Sequence, residues 1–190
     1  MQGRLDSALT VVGRDQADAH GKTLRSLGGV EAIIASPLGR TRETAAIVNA
    51  HLQAPVEFEP ALMERDCGAW SGLDTEQIEA AYPESWRARS EAPYYHRPPG
   101  GENHVDMGDR VRGFLMGLLR RPEGRLALVT HGVMSRVIVG QFLALSPEDT
   151  ASVRHPNELF YRIGLDPGDV RSHHFIAGEG PFDGLLRHAD

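Results

Sequence analysis

Three residues in this 190-residue chain combine a chemically useful side chain with a position where an element ends and another begins. His131 follows the apolar run Leu126–Val129 in Thr130-His131-Gly132, and a second apolar segment starts at once. An imidazole there sits where a buried strand gives way to a helix. Open α/β folds place their ligands at that edge, at strand carboxyl ends and helix amino ends. Arg40 lies in the first turn of a segment that reads as a helix, just beyond the short apolar stretch Glu31–Ser36. A cation is unfavourable beside the positive end of a helix dipole, and its side chain leans back toward the strand end. A guanidinium held in that place suits a planar, bidentate grip on phosphate. Glu64 follows a third short strand, Val56–Glu59, by a few residues and could exchange a proton with a leaving oxygen or with water. Each residue also has an ordinary reading. His131 could be a neutral core histidine, Arg40 a surface partner of Glu43, and Glu64 a solvated partner of Arg65. Together, an arginine, a carboxyl group and an imidazole suit phosphoryl transfer, where anion stabilisation and leaving-group protonation carry much of the catalysis.

The elements that must position them alternate. Residues 11–27 read as a helix with Ala17, Gly21, Leu24 and Leu27 on one face, Thr10 as N-cap and Gly28-Gly29 as its stop. Residues 38–52 form the next helix, with Ala45, Val48 and Leu52 inward. A loop runs from Pro60 to Gly72, and residues 74–89 form two helical pieces broken near Pro83. The segment Glu91–Glu102 is irregular. From about Val105 to Arg120 the residues Val111, Phe114, Leu115, Leu118 and Leu119 trace a helical stripe. The strand 126–130 and the helix 132–145 follow. Strands 158–165 and 169–176 form a hairpin through Asp166-Pro167-Gly168, and the tail from Ala177 is weakly specified. This alternation predicts an α/β three-layer sandwich with a mostly parallel central sheet and a hairpin at one edge. Residues 1–176 form a single domain and 177–190 a C-terminal tail.

Composition narrows the function classes. Hydrophobic residues make up 41% and charged residues 24%, as in ordinary globular domains. The net charge of −6 leaves no basic face for nucleic acid, and no apolar run is long enough for a membrane span. Cys67, the single cysteine, fits a reducing, cytoplasmic compartment. It is not a phosphatase thiolate of the Cys-x5-Arg type, because the sixth residue after it is Leu73. His173 and His174 alternate faces on a strand, and no persuasive metal cluster emerges. Oligomerisation is left open.

At these residues the chain resembles the histidine phosphatase superfamily, in the branch that includes phosphoglycerate mutases. Gly3-Arg4-Leu5-Asp6-Ser7-Ala8-Leu9-Thr10, with Gly13 and Gln16, is similar to the segment after the first active-site loop. Ser36-Pro37-Leu38-Gly39-Arg40-Thr41-Arg42-Glu43-Thr44-Ala45 resembles the motif of the second phosphate-binding arginine, which falls on Arg40. Leu62-Met63-Glu64 with Gly68, Trp70 and Gly72 resembles the acid/base segment and gives that role to Glu64. Pro99-Gly100-Gly101-Glu102 followed by Arg110 resembles the lead-in to the long helix, and Thr130-His131-Gly132 the second histidine motif. The resemblance implies phosphate contacts at Arg40, His131, Gly132, Gln2 and Gly3. It further implies a cofactor-independent phosphatase of small phosphorylated metabolites, with mutase chemistry or non-catalytic phospholigand binding as alternatives.

The nucleophilic histidine of this family belongs to an Arg-His-Gly triplet, and no such triplet occurs in the sequence. The resemblance places it roughly a dozen residues before Gly3, so that with its strand roughly twenty residues lie upstream of Met1. A start assigned too late, a shortened chain, a non-catalytic relative or a substitute histidine (His104, His155 or His131) would each account for this. The family's first strand lies inside the sheet, and each buried backbone group left unpaired costs about 1–3 kcal/mol. Against a total stability of about 5–15 kcal/mol, a monomer of these residues is expected to be unstable unless another segment fills the place.

Overall fold

The computed structural model describes residues 1–166 and 168–187. Its centre is a parallel sheet in the order β2-β1-β3, with β1 at Ala32–Ala35, β2 at Val56–Phe58 and β3 at Leu126–Val129. Ile33 lies opposite both Val56 and Ala127. All four β1 residues are buried, which is why the strand reads as a continuous apolar run instead of an alternation.

The pleat sends neighbouring β1 side chains into two different cores. Ile34 packs with Leu62, Met107, Val111, Leu115, Met134, Val137 and Ile138. These come mainly from α5 (His104–Leu118) and α6 (Gly132–Phe142). Ile33 and Ala35 pack with Ala17, Ala45 and Val48 on the other face, from α1 (Val11–Ser26) and α2 (Gly39–Leu52). The helices α1 and α2 cross at Gly21, where a Cβ would lie 2.6 Å from the His51 ring and 2.9 Å from the Val48 carbonyl. Thr10 caps α1 as its sequence predicts, accepting from Gly13 N at 3.0 Å. Leu27 and Leu119 fall outside the helices whose inner faces they extend, and both are exposed.

Between β2 and α5 the chain forms two single 3-10 turns (Pro60–Leu62 and Gly68–Trp70), then α3 (Thr75–Ala81) and α4 (Pro83–Glu91), divided near Pro83 as the sequence predicts. Segments 66–69 and 99–102 meet backbone to backbone, through Ala69 N to Pro99 O and Glu102 N to Asp66 O, both 2.9 Å. Gly68 makes this approach possible. Its φ is +50°, and a Cβ there would stand 2.2 Å from the Pro99 carbonyl.

After α7 (Pro147–Ser152), β4 (Leu159–Asp166) and β5 (Asp169–Ile176) form the expected antiparallel hairpin; Pro167 of its turn lies outside the described residues. Two differences from the sequence expectation stand out. The hairpin belongs to a separate sheet, β4-β5-β6, and among the described residues no ladder joins it to the parallel sheet. Thus β3 is bonded to β1 alone, and β4 to β5 alone. The second difference is β6 (Glu179–Asp183), which lies in the tail read as weakly specified. Gly180 and Pro181 speak against a strand there, but an edge strand tolerates a residue without a backbone donor. Residues 188–190 of that tail lie outside the described residues. No described helix is long and apolar enough to cross a membrane.

Candidate active site

Residues from four segments meet at the carboxyl edge of the parallel sheet. Arg40, in the first turn of α2, donates from Nε to His131 Nδ1 at 3.1 Å. Because guanidinium can only donate, Nδ1 of His131 must be the acceptor and Nε2 carries the proton. That Nε2 donates to Ser36 Oγ at 2.8 Å, just beyond β1. Burial and then the Arg40 charge push the His131 pKa down to about 3. The ring is therefore neutral at physiological pH, fixed in one tautomer and one orientation. Arg40 also donates to the carbonyls of Leu5 (2.7 Å) and Gly3 (2.8 Å). It does not pair with Glu43, which binds Arg14 at 2.6 Å.

Leu38, the N-cap of α2, gives no side-chain cap. Asp6 takes that role from across the chain, accepting from Gly39 N and from Arg40 N (3.1 Å). These backbone donors, led by Arg40 N–H, hold the Asp6 carboxyl below its usual range. An anion thus rests at the α2 amino terminus, where helix ends bind negative charge.

Glu64 occupies the corresponding place on α6. Its Oε2 accepts from Val133 N and its Oε1 from Met134 N, both at 3.2 Å. His131 is the N-cap of α6 without capping it through its side chain, so Glu64 supplies the missing acceptor. Arg65 touches Glu64 through its backbone N–H (2.9 Å) instead of forming the expected ion pair.

A rigid support holds the Glu64 loop. Arg110 on α5 grips Glu102 through two bonds (2.9 and 3.0 Å) and the carbonyls of Ala61 (2.7 Å) and Met63 (3.1 Å). Glu102 also accepts from Asp66 N at 3.0 Å and from Arg4 at 3.2 Å. Arg4 reaches the Glu64 carbonyl at 3.3 Å. The loop is held from both ends without using the Glu64 carboxylate.

Of the site residues read from the sequence, Arg40, Glu64, His131, Gly132 and Gly3 come together. Gln2 is exposed and bonds to Ser7 at 2.7 Å. Asp6, Ser36 and the Arg110–Glu102 pair are contacts that the sequence reading did not assign. Two surface hollows, one lined by Arg42, Asn49 and Phe58 and another by Phe114, Leu118 and Arg121, contain none of the catalytic candidates. The convergence of side chains, and not surface concavity, marks the site.

The chain matches the model of the histidine phosphatase superfamily (branch 1) over residues 1–176. It is 37% identical over 149 residues to a Salmonella paratyphi C protein named "Probable phosphoglycerate mutase GpmB", covering 76% of this chain and 67% of that one. The structure of mycobacterial glucosyl-3-phosphoglycerate phosphatase with inorganic phosphate aligns at a TM-score of 0.78 and 26% identity, over 95% of this chain and 92% of that one. Alpha-ribazole phosphatase from Shigella flexneri shares the fold at a TM-score of 0.82 and 20% identity, over 90% and 84%. With an arginine, a histidine and a carboxylate gathered at one sheet edge and a family match over most of its length, this chain belongs to branch 1 of the histidine phosphatase superfamily.

Proposed function

We propose that this chain carries the phosphate-binding and acid/base parts of a phosphatase acting on small phosphomonoesters through a phosphohistidine. The observation that carries the reading is the position of Glu64. Its carboxylate sits at the α6 amino terminus, one residue along from the His131 that Arg40 holds. In the proposed reaction a histidine supplied upstream of Met1 attacks phosphorus, and the bond to the leaving oxygen breaks as Glu64, protonated at the start of the cycle, delivers its proton to that oxygen. Water then attacks the phosphohistidine, Glu64 takes a proton from that water, and the nitrogen leaves phosphorus. Arg40 and neutral His131 bind phosphoryl oxygens throughout.

Among the described residues β3 is bonded to β1 alone and β4 to β5 alone; this supports the reading, since a strand ending in Arg-His-Gly and paired with β3 would bring its histidine to the same edge as His131. Transfer to a second alcohol, as in a mutase, requires that water be kept from the phosphohistidine. The tail is a poor lid, because Glu179–Asp183 is bonded to β5.

Two proteins should be compared on p-nitrophenyl phosphate: the 190-residue chain, and the chain extended by its natural upstream residues. The extended form is expected to turn over and to accumulate an acid-labile phosphohistidine in rapid quench. The shorter form should be slower by several orders of magnitude, as expected when a nucleophile is lost. Equal inertness of both would overturn the catalytic reading and leave phospholigand binding.

A further inference from the structure

Ser135 follows directly on the α6 residues whose N–H groups hold Glu64, and two acceptors compete for its hydroxyl proton. Its Oγ stands 3.0 Å from the Gly132 carbonyl of the same helix and 2.6 Å from Nδ1 of His155. The other nitrogen of that imidazole, Nε2, lies 3.1 Å from the carbonyl of Leu159, the first residue of β4. A carbonyl can only accept, so Nε2 carries the proton and Nδ1 of a neutral ring is bare. Burial, against the pull of the Leu159 carbonyl, lowers the His155 pKa to about 4, and the ring is neutral at pH 7. The single hydroxyl proton of Ser135 then goes to Nδ1 across the shorter contact, because two bare lone pairs repel at 2.6 Å. His155 thus decides which way the Ser135 hydroxyl turns.

The pair ties the amino-terminal turn of α6 to the hairpin sheet. Met134, Val137 and Ile138 hold the helix on the core, and Gly140 approaches Thr150 so closely that a Cβ would stand 2.5 Å from its hydroxyl. Apolar packing has no preferred direction, whereas the bond from Ser135 does. Ser135 is only 5% exposed, and its backbone N–H donates to the His131 carbonyl at 2.8 Å. The His155 ring is itself held edge-on by Tyr161 at 5.1 Å, and the Tyr161 hydroxyl donates to the Arg154 carbonyl. Without His155 the Ser135 hydroxyl would fold back onto Gly132, a contact that bends helices. The bend would fall in the turn whose Val133 and Met134 N–H groups receive the Glu64 carboxylate.

We propose that His155, acting through Ser135, is a positioning residue that holds the first turn of α6 in the rotation that aims the Val133 and Met134 N–H groups at Glu64. This inference rests on the phosphatase reading above and extends it to a side chain that touches neither Glu64, Arg40 nor the His131 ring.

The test uses the upstream-extended chain with phenyl phosphate and p-nitrophenyl phosphate as substrates. His155→Leu removes both ring contacts and should lower kcat on phenyl phosphate about 10- to 10²-fold, the upper end being what a remote misplacement of about 1 Å costs. The loss on p-nitrophenyl phosphate should be smaller, because its better leaving group depends less on the proton from Glu64. KM should change by less than about twofold on either, since the Arg40 centre is not disturbed. His155→Gln keeps an amide donor for Leu159 and an oxygen acceptor for Ser135, and it should recover most of the loss. In the double variant S135A/H155L kcat should be no lower than in H155L, because the two residues act through one bond. If H155L does not fold, S135A provides the same comparison of substrates. Parental kcat in H155L, equal losses on the two substrates, or H155Q as impaired as H155L would overturn this inference alone. An inert parent would overturn the phosphatase reading with it.

Discussion

Glu64 separates two arginine centres that differ in how their charge is answered. At the first, each nitrogen of the Arg40 guanidinium has a hydrogen-bond partner, in His131 and the Leu5 and Gly3 carbonyls, with Asp6 nearby at 3.7 Å. At the second, Arg65 Nε and Arg136 Nε are buried with no hydrogen-bond partner among the described residues. The first centre is held in position before any ligand arrives, so an incoming phosphate exchanges one set of acceptors for another and little reorganisation is needed. The second has nothing to exchange and carries an existing electrostatic penalty. Rigid placement is thus concentrated where bonds would change, and unsatisfied charge on the other side of Glu64.

The largest effect expected from breaking this arrangement is at the residue between the centres. In the upstream-extended form, Glu64→Gln keeps the shape and one acceptor oxygen, enough for only one of the Val133 and Met134 N–H groups, and removes the transferable proton. Turnover should fall about 10²- to 10⁴-fold. The loss should grow as the leaving alcohol becomes more basic, because a good leaving group needs no proton. Plotting log kcat against leaving-group pKa for parent and E64Q checks this. Parallel lines would show that Glu64 is only a helix cap and would remove the chemical distinction between the two centres.

A smaller effect is expected at Arg110, which belongs to neither centre but supports the loop bearing Glu64 and Arg65. Arg110→Ala removes two bonds to Glu102 and the grip on the Ala61 and Met63 carbonyls. The group is largely buried, and breaking such a pair leaves Glu102 partly unanswered, although Arg4 and Asp66 N still bind it. Urea unfolding should show a loss of about 2–4 kcal/mol, at the lower side of the range for broken buried pairs. The variant should leave ethyl phosphate binding almost unchanged in calorimetry, since Arg40 stands on another element. Marked weakening would mean that the two centres are not mechanically separate.

The sequence makes the first centre largely readable and the second almost unreadable, for a physical reason. Arg40 and His131 each sit at a strand end entering a helix, and that local pattern is written in consecutive residues. Ser36 could have been found as the residue that ends β1. Asp6 and the Arg110–Glu102 support act across long sequence separations, and no local period marks an acceptor for a distant backbone. The unpaired state of Arg65 is more hidden still. From sequence its obvious partner is the adjacent Glu64, yet that carboxylate is drawn to the α6 amino terminus. The β6 strand is missed because Gly and Pro contradict local propensity, and α7 because six residues are too few to show a period despite Ser146 as its N-cap and Pro147 in its first turn.

The smallest expected effect concerns protons, and it compares the two centres through their histidines. His131 and His104 are both neutral in the folded protein, with pKa values of about 3 and about 4 against an ordinary 6.5. Below pH 6.5 the unfolded chain protonates both imidazoles while the folded chain does not. Stability therefore falls as pH drops from 6.5, until about pH 4 for His104 and about pH 3 for His131. Each ring contributes a slope of at most about 1.4 kcal/mol per pH unit. In H131N or H104F the slope of unfolding free energy between pH 6 and 4.5 should lessen by up to one proton, whatever the absolute stability. Arg65 then separates the pair. Burial is the larger cause of the low His104 pKa and the Arg65 charge the next, so R65M should raise that pKa in part and draw a fraction of a proton onto the ring at pH 5. The His131 pKa, lowered by burial and then by Arg40, should stay where it is. NMR titration of the two imidazoles measures both shifts, and H104F identifies the His104 signal. A His104 pKa unmoved in R65M would mean that the Arg65 charge is already answered, and that the two centres do not differ in this way.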